Sequence, residues 1–234
     1  MKRIGVMQLT DTLEVGGLER VAVNLANSLP VESYDSHLCA TRCSGPLRVT
    51  VLPHVRQLYL DRSGRFDLRA VRRLINYTRS NGIQILHAHG TAVFISALAG
   101  FFDRDLQLIW HVHFGRYAIQ SRSAALYRLG VRSARAVIAV NEPLAEWSRK
   151  RLRGPQQRVH YIPNFVCEPP EQKGVPDLPG APGSRIVCVA NLRPEKDHLT
   201  LLAAMKEVIS RCPAAHLLVA GSARDGAYAR MALS

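Results

Sequence analysis

Short apolar runs of strand length alternate with amphipathic segments of helix length throughout this sequence. The alternation is typical of βαβ units, whose parallel strands form one sheet with helices packed on both faces. It predicts an α/β fold built on a doubly wound, mainly parallel sheet. The predicted strands are 4–9, 34–40, 55–60, 83–87, 106–111, 136–140, 159–162, 185–190 and 216–221. The predicted helices are 18–29, 66–80, 91–102, 118–133, 143–152, 198–212 and 226–234.

Residues 163–184 interrupt this pattern with six prolines and three glycines. Such a composition sustains neither a helix nor a central strand, so the segment is predicted to be a linker between domains. A first domain is expected over 1–162 and a second over 185–234. The second contains only two predicted strands, which leave apolar faces uncovered, so we expect it to be an incomplete domain from a truncated chain.

The formal net charge of +13 is concentrated in one part of the chain. The first 165 residues hold 23 Lys and Arg against 11 Asp and Glu, and the rest hold 8 against 7. Two explanations stay open: a surface for anionic lipid headgroups, or arginine as the solubilising residue of a sequence with 26 Arg and 5 Lys. Nucleic acid is not expected, because aromatic residues make up only 6% and no binding module is present. The arginines of the two predicted basic helices are Arg65, Arg69, Arg72, Arg73 and Arg79, and Arg122, Arg128, Arg132 and Arg135.

Neither the cysteines nor the apolar runs indicate an extracellular or membrane-spanning protein. The five cysteines form no CxxC pair, which argues against a disulfide framework and a zinc site and favours a reducing compartment. No apolar run approaches the roughly 18 residues of a membrane span, and no signal-peptide core follows Met1. We therefore expect a cytoplasmic protein, peripheral at the inner face of the cell membrane if the arginines contact lipid.

Gly16 and Gly17 lie between the first predicted strand and the first predicted helix. Glycines at a helix N-terminus let backbone N–H groups approach a phosphate or carboxylate, which the helix dipole also favours. A plain βα turn is the alternative. The pattern is neither GxGxxG nor GxxxxGK[ST], so a dinucleotide fingerprint and a P-loop are unsupported, and an oxidoreductase is disfavoured.

Two HxH pairs stand at the ends of predicted strands, His87 with His89 and His111 with His113. In open α/β sheets ligands bind at this edge, and residues i and i+2 of a strand share a face. Four imidazoles could hold a metal, but no carboxylate or thiol accompanies either pair to complete the ligand shell. We therefore expect one histidine to be structural and another to face a cleft, with no metal.

A third candidate site lies where the strand predicted over 185–190 leads into the next helix. Arg193 and Lys196 there suit a diphosphate, because two cations would combine with the helix dipole. A solvated charged turn is the alternative.

Together with Tyr161-Ile162-Pro163-Asn164-Phe165, these elements resemble the retaining glycosyltransferases of family four, from residue 4 to the end of the chain. The resemblance implies the B-type fold of two Rossmann-like domains, the first binding the acceptor and the second a nucleotide-diphosphate sugar. It implies transfer with retention to an acceptor such as a lipid-linked or cell-envelope glycan, with the nucleotide sugar as co-substrate and no metal or other cofactor. By this likeness His113 is the catalytic histidine that contacts the transferred sugar. The donor phosphates would contact Gly16, Gly17, Arg193 and Lys196, and the acceptor side would comprise Glu19, His89, His111 and Asn164.

The sequence departs from the family pattern at two places. Asn191 stands where the family usually has an arginine, so that Arg193 would substitute for it, and the family's Glu-x7-Glu element is not found after Gly221-Ser222. The resemblance therefore implies a chain that is inactive alone. The alternative is a non-catalytic module that binds an anionic glycan, a lipid headgroup or a partner subunit.

Overall fold

The computed structural model describes residues 3–64, 67–113, 124–152, 158–167, 177–223 and 226–233. The chain divides into two compact units, Met1–Glu168 and Pro169–Ser234. The point of division lies within the predicted linker 163–184. The assignment of the first unit to the acceptor and the second to the donor remains a prediction.

A seven-stranded sheet with the strand order β3-β2-β1-β4-β5-β6-β7 forms the centre of the first unit. Each neighbouring pair of these strands is parallel. The strands are β1 (Ile4–Thr12), β2 (Tyr34–Cys43), β3 (Arg56–Tyr59), β4 (Ile83–His89), β5 (Gln107–Val112), β6 (Ala136–Ala139) and β7 (Val159–Tyr161). The helices described here are α1 (Gly17–Ser28), α2 (Leu68–Ser80), α3 (Val93–Phe102), α4 (Ala124–Val131) and α5 (Glu142–Arg151).

Alternating apolar side chains bury both faces of this sheet. Met7 and Leu9 of β1 belong to a large core that also contains residues of the four helices α2 to α5. On the opposite face, Leu38 of β2 packs in a second core with Val23 of α1. Helices therefore cover both sides, as parallel strands buried on two faces require. The predicted α/β, doubly wound architecture is confirmed.

The strands and helices begin and end near their predicted positions, with a few differences. β1 continues to Thr12 and β4 to His89, beyond the predicted ends. Of the predicted helix 118–133, residues 118–123 lie outside the described part, and α4 spans Ala124–Val131. The largely apolar α3 is not buried throughout, because its last turn leaves Phe101 72% exposed.

The second unit contains a two-stranded parallel sheet of β8 (Arg185–Val189) and β9 (His216–Ala220), with α6 (His198–Arg211) and α7 (Gly226–Leu233). Both strands have exposed apolar side chains, including Val189 and Val219. Tyr228 of α7 is buried, and its hydroxyl accepts a hydrogen bond from the backbone N–H of His198 at 2.7 Å. Across the described residues, no helix combines the length and the apolar character that crossing a membrane requires.

Candidate active site

The four histidines of the two HxH pairs meet at the carboxyl edge of the seven-stranded sheet. β4 and β5 are neighbours, and His89 lies opposite His111 in their register. Because side chains alternate along a strand, His87 and His113 project from the same face as these two. The ring centroids of His87 and His111 are 5.2 Å apart, and those of His89 and His113 are 5.1 Å apart. His87, His89 and His111 are buried and His113 is partly buried, so these four residues form a histidine cluster.

A chain of hydrogen bonds fixes His113. His89 Nε2 lies 2.9 Å from Gln8 Oε1, and His89 Nδ1 lies 2.9 Å from His113 Nε2. Because an amide oxygen only accepts, His89 donates from Nε2 and its Nδ1 must accept in turn. His113 therefore donates from Nε2 and keeps a lone pair on Nδ1, for which the described residues provide no hydrogen-bond partner. The chain Gln8–His89–His113 thus sets both the orientation and the tautomer of His113.

Burial keeps the histidine cluster uncharged. Desolvation lowers the pKa of His87 to about 3, that of His111 to about 4 and that of His113 to about 2. The pKa of His89 is also well below its ordinary value, first through burial and then through the neighbouring imidazoles. Near neutral pH, the cluster therefore offers lone pairs and neutral N–H donors rather than positive charge.

We expect acid to destabilise the protein through this cluster. Unfolded histidines have a pKa of 6.5, whereas the folded values are about 3 for His87 and about 4 for His111. The stability that depends on neutral imidazoles is thus present above pH 6.5 and is lost as the pH falls towards those folded values. Within this pH range, each such histidine lowers the free energy of unfolding by about 1.4 kcal/mol for every unit that the pH falls. Urea unfolding at pH 7.5, 6.5 and 5.5 measures the loss, and His87→Asn should make its slope shallower; a free energy of unfolding that stays constant across these pH values would contradict the expectation.

Two residues that the sequence analysis did not single out organise the same edge. Gln8 supplies the acceptor for His89, and its position as a polar residue within an apolar strand was the available signal. Asp11, near the end of β1, accepts hydrogen bonds from Thr41 Oγ1 at 2.6 Å and from Arg62 Nη2 at 3.1 Å, and it also accepts one from Thr91. Asp11 therefore joins the end of β2 to the segments that follow β3 and β4.

Gly16 and Gly17 lie at the N-terminus of α1, where Gly16 is the N-cap. Gly16 has an extended backbone (φ −162°) that any residue adopts. A Cβ on Gly17 would meet nothing within 4 Å, and one on Gly16 would meet only the side chain of Glu19. Open space therefore lies beside Gly17, whereas the Glu19 side chain fills the space beside Gly16. The Glu19 carboxylate lies beside Gly16 and accepts a hydrogen bond from Thr12 Oγ1 at 3.5 Å, so a second anion at this position would have to displace it.

In the second unit, a 3-10 turn (Pro194–Lys196) leads into α6; Arg193 is its N-cap and Lys196 is its last residue. Both side chains are exposed, and neither forms an ion pair with any residue in the described ranges. Asp197 caps α6 by accepting a hydrogen bond from the Thr200 backbone N–H at 3.4 Å. Asn191, at the position of the family's usual arginine, accepts a hydrogen bond from the Ser222 backbone N–H at 2.9 Å and so ties this turn to the one after β9. Two cations thus stand beside a helix N-terminus.

The predicted site residues therefore fall into separate groups. His89, His111 and His113 are in direct contact, and Gly16, Gly17 and Glu19 form a second group on the neighbouring β1–α1 connection. Asn164 is exposed, three residues beyond β7.

Comparisons with known proteins agree with this architecture. The model of Glycosyltransferase Family 4 matches residues 15–167. The crystal structure of HepE from Anabaena in complex with UDP and glucose is 15% identical, with a TM-score of 0.62 over 98% of this chain and 72% of that chain. A glycosyltransferase from Rickettsia africae is 12% identical, with a TM-score of 0.65 over 99% and 64%. Sucrose-phosphate synthase from Thermosynechococcus elongatus is 17% identical, with a TM-score of 0.64 over 97% and 66%. No curated protein matches the sequence.

The solved structures share the B-type glycosyltransferase fold with this chain, which spans 64–72% of their length. The family model covers Gly16 and Gly17, both HxH pairs and the Ile162-Pro163-Asn164 element, and it spans well over half of all residues. The chain therefore belongs to glycosyltransferase family 4.

Proposed function

We propose that this protein is a retaining hexosyltransferase that moves a sugar from a nucleoside diphosphate to a glycan or lipid-linked acceptor. The observation that supports this best is the orientation of His113 by Gln8 and His89 at the carboxyl edge of the sheet, where α/β folds bind ligands. Family 4 membership and the UDP and glucose bound to the HepE relative support a nucleotide-sugar donor.

In this proposal Arg193 and Lys196 bind the donor diphosphate. The exposed guanidinium and ammonium groups would offset the negative charge that develops on the leaving diphosphate, with the N-terminus of α6 contributing its dipole. With two protein cations in this role, departure of the diphosphate would need no metal ion. Gly16 and Gly17 would offer the open N-terminus of α1 to a further phosphate or acceptor anion, provided that Glu19 turns away.

His113 would contact the transferred sugar through Nδ1, the nitrogen that the hydrogen-bond chain leaves with a lone pair; this atom is buried in the structure, so donor binding would have to expose it. A neutral imidazole can accept a hydrogen bond from a sugar hydroxyl without placing a positive charge beside a developing oxocarbenium ion. Glu19, His89, His111 and Asn164 would border the acceptor side. His89 would act through His113, as a positioning residue.

Binding of UDP, measured by isothermal titration calorimetry, tests the donor assignment. Binding is chosen over turnover because the relatives are longer, and we propose that the 234-residue chain alone transfers sugar weakly or not at all. Arg193→Ala and Lys196→Ala should each weaken UDP binding by about 10- to 100-fold, since a hydrogen bond to a charged group contributes about 1.5–3 kcal/mol.

Lys206→Ala removes an exposed cation from α6 and is the matched control, so it should leave UDP affinity unchanged. An equal loss of UDP affinity in Arg193→Ala, Lys196→Ala and Lys206→Ala would show that UDP responds only to the net charge of the protein. Binding of an anionic glycan without any binding of UDP or other nucleoside diphosphates would favour a non-catalytic module.

We also propose that α2 contacts anionic lipid. Arg69 and Arg72 are exposed on it beside Leu68, which is 66% exposed, whereas Arg73 donates hydrogen bonds to backbone carbonyls and Arg79 pairs with Asp103. The double variant Arg69→Ala/Arg72→Ala should reduce sedimentation with phosphatidylglycerol vesicles by about fivefold per arginine, at about 1 kcal/mol each. The double variant Lys206→Ala/Arg211→Ala, which removes the same amount of charge from α6, is the control and should leave vesicle binding unchanged. Equal binding to neutral phosphatidylcholine vesicles would contradict this proposal.

A further inference from the structure

We propose that His87, His89 and His111 form a binding site for a divalent transition-metal ion of the zinc class, separate from the diphosphate chemistry proposed above. One ring nitrogen of each of these histidines lies within 4.8 Å of those of the other two, and all three side chains are buried. From the sequence no metal is expected, because no carboxylate or thiol accompanies either HxH pair. The structure nevertheless brings imidazoles of both strands together, so that three buried ring nitrogens converge without a carboxylate or a thiol.

Unpartnered nitrogens are the first reason to expect a ligand here. His87 Nε2 and both ring nitrogens of His111 are buried and have no hydrogen-bond partner among the described residues. A buried polar atom without a partner costs about 1–3 kcal/mol, so such atoms are few in folded proteins. A neutral imidazole carries a lone pair on one of its nitrogens, and a metal ion is a partner that accepts it.

The hydrogen bond between His89 and Gln8 is the second reason. Metal-binding histidines usually donate their other ring N–H to a fixed oxygen acceptor, which orients the ring and holds the tautomer. Gln8 Oε1 accepts from His89 Nε2 at 2.9 Å and leaves His89 Nδ1 with its lone pair. That lone pair now accepts a hydrogen bond from His113 Nε2. Metal binding would replace this bond, and the released His113, whose ring centroid is 4.1 Å from that of His111, is the nearest candidate for a fourth ligand.

The donor set selects the class of ion. Imidazole nitrogens suit Zn²⁺, Co²⁺, Ni²⁺ and Cu²⁺, whereas Mg²⁺ and Ca²⁺ require oxygen ligands. Zinc binds imidazole nitrogen at about 2.0–2.1 Å in a tetrahedral shell, which puts neighbouring nitrogens about 3.3 Å apart. The three rings would therefore draw together by side-chain rotation, while β4 and β5 keep their register.

The test is a metal titration of the full chain, purified through a tag without histidine and stripped with EDTA. We expect one Zn²⁺ per chain by calorimetry and elemental analysis, and visible d–d absorption of four-coordinate Co²⁺ when that ion is added instead. His87→Asn and His111→Asn should abolish this binding. Gln8→Leu should weaken it by about 10- to 100-fold, the usual effect of losing the partner that orients a metal ligand.

Exposed histidines outside the cluster provide the controls. His54→Gln and His160→Gln should still bind one Zn²⁺ per chain. If these two variants lost Zn²⁺ binding and the cluster variants kept it, the metal would lie outside the cluster. If circular dichroism shows that His87→Asn does not fold, the Co²⁺ absorption spectrum of the wild-type protein tests whether the cluster binds metal. Absence of four-coordinate Co²⁺ absorption, or Gln8→Leu with unchanged Zn²⁺ affinity, would overturn the proposal. Because these measurements need neither donor nor acceptor, they stand or fall independently of sugar transfer.

Discussion

Replacing His113 by alanine is expected to reduce kcat/KM for sugar transfer by about 100- to 1,000-fold, the usual loss when one positioned polar group of an active site is removed. His113 is partly exposed at the carboxyl edge of the sheet, and its orientation depends on the bond from its Nε2 to His89 Nδ1. Burial lowers its pKa to about 2, so the neutral ring acts at all physiological pH values. The loss should therefore be nearly the same from pH 6 to pH 8.

The assay uses a radiolabelled nucleotide sugar and a form of the protein that supports transfer, with EDTA present to remove any metal from the histidine cluster. His87→Ala should reduce turnover far less at an equal folded fraction, because His87 is buried and His113 is the more exposed of the two. His54→Ala, an exposed change outside the cluster, should have no effect. Comparable losses for His113→Ala and His87→Ala would show that the wrong histidine has been assigned to the sugar.

The second large effect is expected in stability, for Trp110→Ala. Trp110 is fully buried on β5, next to His111 but on the opposite face of the strand. Its ring stacks on Tyr127 with a centroid distance of 5.5 Å, and its Nε1–H donates to the Gly90 carbonyl at 2.8 Å. Removing a buried indole leaves a cavity and an unpaired carbonyl, so the free energy of unfolding should fall by about 3–5 kcal/mol.

Trp110→Phe separates the contribution of the hydrogen bond from that of the buried apolar volume, because phenylalanine keeps most of that volume but has no N–H donor. It should cost about 1–3 kcal/mol, the usual penalty for leaving a buried acceptor unpaired. Phe101→Ala removes an aromatic ring that is 72% exposed and should change stability by no more than about 0.5 kcal/mol. Urea unfolding followed by far-ultraviolet circular dichroism, a signal that does not depend on Trp110, measures the stability of all three variants. A Trp110→Ala loss as small as that of Phe101→Ala would contradict the role assigned to this core.

Local patterns accounted for most of the architecture. Strand and helix segments were predictable because apolar periodicity depends only on neighbouring residues, and their alternation predicted that the strands run parallel, though not the order of the strands in the sheet. The Gln8 position shows the limit of this reasoning. A polar residue between the apolar residues Met7 and Leu9 of the strand Ile4–Thr12 indicates a buried, hydrogen-bonded side chain, but the partner of Gln8 is 81 residues away along the chain.

Local features of the chain were enough to predict the α/β class, the family and the candidate residues, because the periodicity, the turn glycines and the HxH and Arg193–Lys196 elements each involve residues close together in sequence. Which histidines come into contact depends instead on how distant strands pair in the folded protein. β4 and β5 are separate in the chain, and their pairing in register is what places His89 opposite His111 and brings four imidazoles onto one buried face. Burial then removes their charge, since desolvation depends on what packs around a group and not on its neighbours in sequence.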